Sequence, residues 1–130
     1  MYVRFITGEI HEDSNFELGI LQAAYRLRRR GHLPTYEETR LAELSDWFST
    51  NLKKPTRFTT SKPPYYRKQN RAICWLKDTA TEHISQLREI VSILDRHDIH
   101  TDMIQTDRPG YVVYEDEFQI VAEPFSDADL

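Results

Sequence analysis

The chain has one cysteine, Cys74, only four glycines, and no long apolar run. A single thiol excludes an internal disulfide and fits a reducing compartment. Four glycines leave little material for a glycine-rich phosphate loop, and no nucleophile elbow or HExxH helix is present. No apolar stretch approaches the roughly 20 residues that span a bilayer. The opening Met1-Tyr-Val-Arg-Phe-Ile-Thr7 lacks the basic region, apolar core and small-residue cleavage site of a signal peptide. A cytoplasmic protein with no membrane contact is the expectation.

Negative charge is also missing over one stretch. No Asp or Glu occurs between Asp46 and Asp78, while Lys53, Lys54, Arg57, Lys62, Arg67, Lys68, Arg71 and Lys77 all fall there. The net charge of −4, from 17 Lys and Arg against 21 Asp and Glu, thus divides into +8 inside the window and −12 outside it. Toward the C-terminus Asp107, Glu115, Asp116, Glu117, Glu123, Asp127 and Asp129 are opposed by Arg108 alone, a balance of −6. A net negative charge argues against a general nucleic-acid coat. The division reopens that question for one segment.

What is present suits a single packed domain over residues 1–130. Hydrophobic residues make up 39% and aromatics 12% of 130 residues, enough to build one core. Tyr2 to Thr7, β-branched and aromatic, reads as a strand. Ser14 with Glu17 forms a capping box, and Phe16, Ile20, Ala24 and Leu27 keep helical spacing, so a helix is predicted over about 15–30, stopped at Gly31. Thr35 with Glu38 announces a second helix, with Leu41, Leu44, Phe48 and Leu52 as its stripe and Trp47 beside it; it ends near Asn51, ahead of Pro55. Residues 53–70 show no period and read as a long basic surface loop, a length often tied to function. Ala72 to Leu76 reads as a strand buried on both faces. Thr79 with Glu82 opens a third helix with Ile84, Leu87, Ile90, Val91 and Leu94 inward. That helix and an extended run at about 101–106 complete a right-handed βαβ unit. Pro109-Gly110 marks a turn with a positive φ at the glycine. Tyr111 to Tyr114 and Phe118 to Ala122 form a hairpin, and an acidic tail covers 124–130. The prediction is an α+β fold, one mixed sheet with about three helices, in the order βααβαβββ.

Three groups of residues are candidates for function. The first is the basic loop. Lys53, Lys54, Arg57, Lys62, Arg67, Lys68 and Arg71 would release counterions on meeting phosphates, and Tyr65 and Tyr66 would stack on bases. The plain reading is a solvated loop, since no recognised nucleic-acid motif accompanies it. The second is the acidic hairpin, with Glu115, Asp116, Glu117 and the lone cation Arg108, suited to a basic protein surface or to the basic loop of a second copy in a homodimer. Charges that blunt an edge strand are its plain reading. The third is the run Asp95-Arg-His97-Asp98-Ile-His100-Thr-Asp102, where His97, His100, Asp98 and Asp102 are metal-ligand types. Their spacing is no recognised zinc pattern, and histidines at a helix C-terminus are favoured by its dipole. Cys74, between Ile73 and Trp75, is expected to be buried and inert, and Trp47 and Trp75 to be core. No cofactor motif appears. The expected function is a small non-enzymatic binding or regulatory protein making electrostatic contact with a macromolecule, another protein ahead of nucleic acid. The rival is a metal-dependent hydrolase or nuclease built on the Asp95–Asp102 cluster.

Overall fold

The computed structural model describes residues 1–10, 17–53 and 72–125. Its elements are β1 (Tyr2–Ile10), β2 (Glu17–Gly19), α1 (Ile20–Arg29), α2 (Thr35–Asn51), β3 (Ile73–Lys77), α3 (Thr81–Asp95), β4 (Thr101–Thr106), β5 (Tyr111–Glu115) and β6 (Gln119–Glu123). Apart from the three-residue β2, this is the expected α+β order. No helix among the described residues is long and apolar enough to cross a membrane.

β1 organises the sheet. On one side it pairs with all of β4, from Tyr2↔Thr106 to Thr7↔Thr101. On the other it meets β3 through Tyr2↔Lys77 and Val3↔Leu76, and β6 and β5 continue outward from there. β3 and β4 run in the same direction, as a crossover through α3 requires, but β1 lies between them. The unit is a split βαβ. The expected mixed sheet is corrected accordingly: every hydrogen-bonded pair among the described strands is antiparallel.

β4 and β5 lie at opposite edges of the sheet, yet only residues 107–110 join them. Such a link reaches at most roughly 18 Å, whereas four strand spacings of a flat sheet are about 19 Å across before any travel along the strands. The sheet must therefore curl. Ile104 of β4 packs against Ile73, Trp75 and Ile120 across the intervening β1, which puts this cluster on the inner side of the curl. Trp75, 1% exposed, is its centre, as expected, and its Nε1 has no hydrogen-bond partner among the described residues. On the other face Val3, Phe5 and Leu76 pack beneath all three helices, against Ala24 and Leu27 of α1, Leu41 and Leu44 of α2 and Ile90 and Leu94 of α3. Trp47 is half-buried at this core's margin.

The three capping boxes are not formed among the described residues. Glu17–Gly19 pairs with β1 through Ile6↔Gly19 and Ile10↔Glu17, and α1 starts at Ile20 without a side-chain cap. The reason is the sheet. β3 covers only Tyr2 and Val3 on that side of β1, so the rest of the β1 edge offers ladder hydrogen bonds that outweigh one hydroxyl cap. Ser14 lies outside the described residues. Pro34 and Ala80 stand at the N-caps of α2 and α3, one residue before Thr35 and Thr81, and neither start has a side-chain cap. Pro34 O accepts from the amides of both Glu37 and Glu38, which frees the Glu38 carboxylate to pair with Arg28 of α1 at 3.1 Å.

Further charges tie α2 to α3. Arg40 forks both carboxylate oxygens of Glu89, with Nη2 to Oε1 at 2.7 Å, and its Nε contacts Oε2. Glu37, in the first turn of α2 and 3% exposed, accepts from His97 Nε2 at 2.9 Å and Arg96 Nε at 3.1 Å, both just past the end of α3. A carboxylate at a helix start facing the Arg96 guanidinium at a helix end also suits both dipoles. The His97 hydrogen bond, assisted by Arg96 and opposed by burial, holds the Glu37 carboxyl below its ordinary range. Glu37→Ala is expected to cost about 2 kcal/mol. That is less than the 3–5 of a fully buried pair, because Arg96 is half-exposed and regains water. Urea melts of the two proteins check this, and equal midpoints would refute it.

Candidate functional site

The basic segment is the candidate that the structure anchors most firmly. Lys53 is exposed at its start. Lys54, Arg57, Lys62, Tyr65, Tyr66, Arg67, Lys68 and Arg71 lie outside the described residues. What is described is how the segment is held at both ends. The Lys53 carbonyl accepts from Gln119 Nε2 at 2.6 Å, and Ile73, where the chain re-enters the sheet, pairs with Ala122. Both anchor points are on β6.

Just before Lys53, the last carbonyl of α2 is also claimed. His83 Nε2 donates to Asn51 O at 2.9 Å, satisfying one of the orphan acceptors that a helix end leaves. His83 is 3% exposed and packs edge-on against Trp47 and at a 33° tilt against Phe118, with centroids 4.8 and 4.4 Å away. Sequence reasoning passed over His83 because it is polar. The available signal was its spacing, i, i+4, i+7 and i+11 with Leu87, Ile90 and Leu94, which places it on the buried face of α3.

Gln119, 1% exposed, is the hub beneath the anchor. Its amide donates to Lys53 O and to Asp116 Oδ2 at 3.1 Å, and its Oε1 accepts from the Cys74 thiol at 3.0 Å. Asp116 Oδ1 accepts from the amides of Phe118 and Gln119 at 2.9 and 3.1 Å, and Oδ2 also accepts from Tyr114 OH at 2.9 Å. Asp116 therefore turns inward and closes the β5–β6 turn. It does not stand on the acidic outer surface, as the sequence reading had it.

The other hairpin residues divide. Glu115 accepts from Lys77 Nζ at 2.7 Å, and this bond raises the Lys77 ammonium pKa despite desolvation. Glu117 is exposed. Arg108 is exposed on the link from β4, with its guanidinium 5.1 Å from the Phe125 ring centroid, while Asp107 faces the N-terminal ammonium at 3.8 Å. Glu115, Glu117 and Arg108 thus remain as exposed groups.

Cys74 is exposed on its strand, which corrects the expectation of burial on both faces. The position is open on one side and closely surrounded elsewhere. Desolvation there, with the Asp116 carboxylate and against the pull of Arg4, pushes the thiol up to about 12. It is a hydrogen-bond donor at neutral pH and no nucleophile. Despite its exposure, its alkylation by iodoacetamide at pH 8 is expected to run at least about a hundredfold slower than that of a free cysteine peptide. A matching rate would overturn this.

The proposed metal cluster separates. Asp98 adopts φ 61°, reversing the chain between α3 and β4. His97 is sent back to Glu37, whereas His100, exposed, meets Asp102 Oδ1 at 3.0 Å. Among the described residues no three His, Cys, Asp or Glu side chains are placed to hold a metal ion. The four residues lie close in sequence, but the turn aims their side chains apart. No family model, curated protein or solved structure matches the chain.

Proposed function

We propose that this chain is a small binding protein, with no chemistry of its own, that docks through the basic 53–71 segment onto an acidic partner. A protein surface is the leading partner, and regulation of that partner is the role such contact would serve. The carrying observation is the acid-free window of eight cations, begun at a carbonyl clamped by a buried glutamine. A solvated loop without function has no need of a polar anchor made by a side chain 1% exposed. The desolvation of Gln119 is offset by its hydrogen bonds to Lys53, Asp116 and Cys74, so the segment starts from a fixed point.

Affinity capture from a native lysate, eluted with rising salt, tests the reading. The expected result is a defined acidic partner released in a narrow salt window and lost with K53Q/K54Q/R57Q. Capture that ignores salt, or survives that triple variant, refutes it. Sedimentation at low and high salt examines the homodimer form of the same contact, in which the +8 window of one copy meets the −6 C-terminal region of another. A monomer under both conditions removes that form.

A further inference from the structure

A second acid-free stretch lies on a different surface. No Asp or Glu occurs between Glu17 and Glu37, a span that holds Arg26, Arg28, Arg29 and Arg30. On α1 and its cap the exposed positions are Gln22, Tyr25, Arg26, Arg29 and Arg30, at i, i+3, i+4, i+7 and i+8. Ile20, Ala23, Ala24 and Leu27 fill the opposite side and are buried. The solvent face of this helix therefore holds no carboxylate of its own, and Arg29 and Arg30 stand exposed at its end. The other two helices differ: α2 exposes Glu43 and Asp46, and α3 exposes Glu82 and Asp95 beside Arg88.

The helix dipole explains basic residues in the last turn. It does not explain the exposed rings among them. Tyr25 is 55% exposed, and the Arg29 guanidinium carbon lies 5.7 Å from its ring centroid. Tyr36, at 70%, is the most exposed of the large apolar side chains described. It lies at the start of α2, across the short link from Arg30, and the Arg28–Glu38 ion pair holds the two helix ends together.

We propose that this face binds single-stranded nucleic acid, with Arg29 and Arg30 on successive phosphates and Tyr25 and Tyr36 stacking on bases. Guanidiniums interleaved with flat rings match a strand in which charge alternates with π-faces. A duplex keeps its base faces stacked internally, so exposed tyrosines gain nothing from it. DNA and RNA strands share this chemistry and form two arms of one experiment. The site uses none of the 53–71 cations and stands independently of the docking function above.

Fluorescence anisotropy of labelled oligo-dT and oligo-U, titrated with the full chain across a salt series, tests the proposal. The expected result is low-salt binding to one or both strands, with log affinity falling linearly against log salt. R29Q/R30Q should reduce that slope by about 1.4, for two phosphate contacts at ~0.7 each. Tyr25→Ala should weaken binding at least about fivefold with the slope unchanged, a result that loss of charge does not give. Tyr25, Arg29 and Arg30 face solvent, so both variants should melt with the parent protein. Absence of binding at low salt overturns the proposal. An unchanged slope in R29Q/R30Q does so too, as does a duplex bound equally well with Tyr25→Ala silent. K53Q/K54Q/R57Q separates the two surfaces: affinity that follows this variant instead assigns the strand to the 53–71 segment and rejects the α1 site.

Discussion

Gly110→Ala is expected to destabilise the protein by about 2–6 kcal/mol and to open the β5–β6 hairpin from its free end. Gly110 has φ +131°, where a side chain is strained, a cost of about 1–3 kcal/mol. A Cβ there would also lie 2.6 Å from the Glu123 carbonyl carbon, nearer still to its oxygen, and 3.0 Å from Pro124 Cα. These are backbone atoms at the end of β6, with no flexible tip that can move aside, so overpacking adds a further 1–3 kcal/mol or so. Relief requires the next residue, Tyr111, to give up its pairing with Glu123. β5 is an edge strand with a bulge between Val112 and Tyr114, so little holds it once that first pair is gone. A fall in melting temperature of at least about 8 °C should follow, with faster amide exchange concentrated in β5. A variant melting within a degree or two of the parent would show that the β4–β5 link yields more readily than its geometry implies.

That glycine is also a place where sequence and structure agree. Pro109-Gly110 predicts a turn with a positive φ at the glycine; the backbone has the positive φ, at 131°, but forms no regular turn at 108–110. The helical stripes of α2 and α3 were legible because each helix buries one face and the buried positions recur at the period of its backbone, whereas β6 is buried on both faces from Gln119 to Ala122. Element starts were less legible. Thr35 and Thr79 are good capping residues, but caps are worth only about 1 kcal/mol, and hydrogen bonds made elsewhere in the fold decide at that scale. β2 exists because β3 leaves part of the β1 edge open, a fact about two strands some 70 residues apart in the chain.

The candidate site was legible as charge and not as geometry. The acid-free window between Asp46 and Asp78 is visible by inspection, whereas its anchorage depends on Gln119, a neutral residue 66 positions from Lys53. The second such window, between Glu17 and Glu37, is equally visible as charge. Exposure at Tyr25 and Tyr36 is what distinguishes it, and a sequence does not display exposure. Density of ligand-type residues pointed the other way. Asp95 to Asp102 looked like a metal site, but one residue at φ 61° aims His97 and His100 at different partners. Buried polar residues are the hardest to find, because Glu37, His83 and Gln119 each depend on a partner from another element.

Asp116→Ala should cost about 2–4 kcal/mol at neutral pH. The carboxylate accepts four hydrogen bonds, from Phe118 N, Gln119 N, Gln119 Nε2 and Tyr114 OH. Bonds to a charged acceptor are worth about 1.5–3 kcal/mol apiece, but they share one group and part of the turn regains water, so their sum overstates the loss. Burial opposes ionisation of this carboxyl, and the four donors outweigh it, leaving the pKa below the ordinary aspartate value. The sign of the pH effect follows. A folded-state pKa below the unfolded one, about 3.9, contributes stability that is fully present above that value and is lost as pH falls through the folded pKa. The gap between parent and Asp116→Ala should therefore be constant from about pH 5 to 7 and narrow below about pH 4. A gap that holds steady into acid would mean that the ionised carboxylate is not what the donors need. Asp116→Asn keeps two lone pairs but turns an NH₂ toward donors, so it should fall between the two. Since Gln119 is oriented by Asp116 and in turn holds Lys53 O, both variants loosen the start of the basic segment without touching its charges. Partner capture should then weaken while its salt dependence stays the same. A changed salt dependence would place Asp116 in the contact itself.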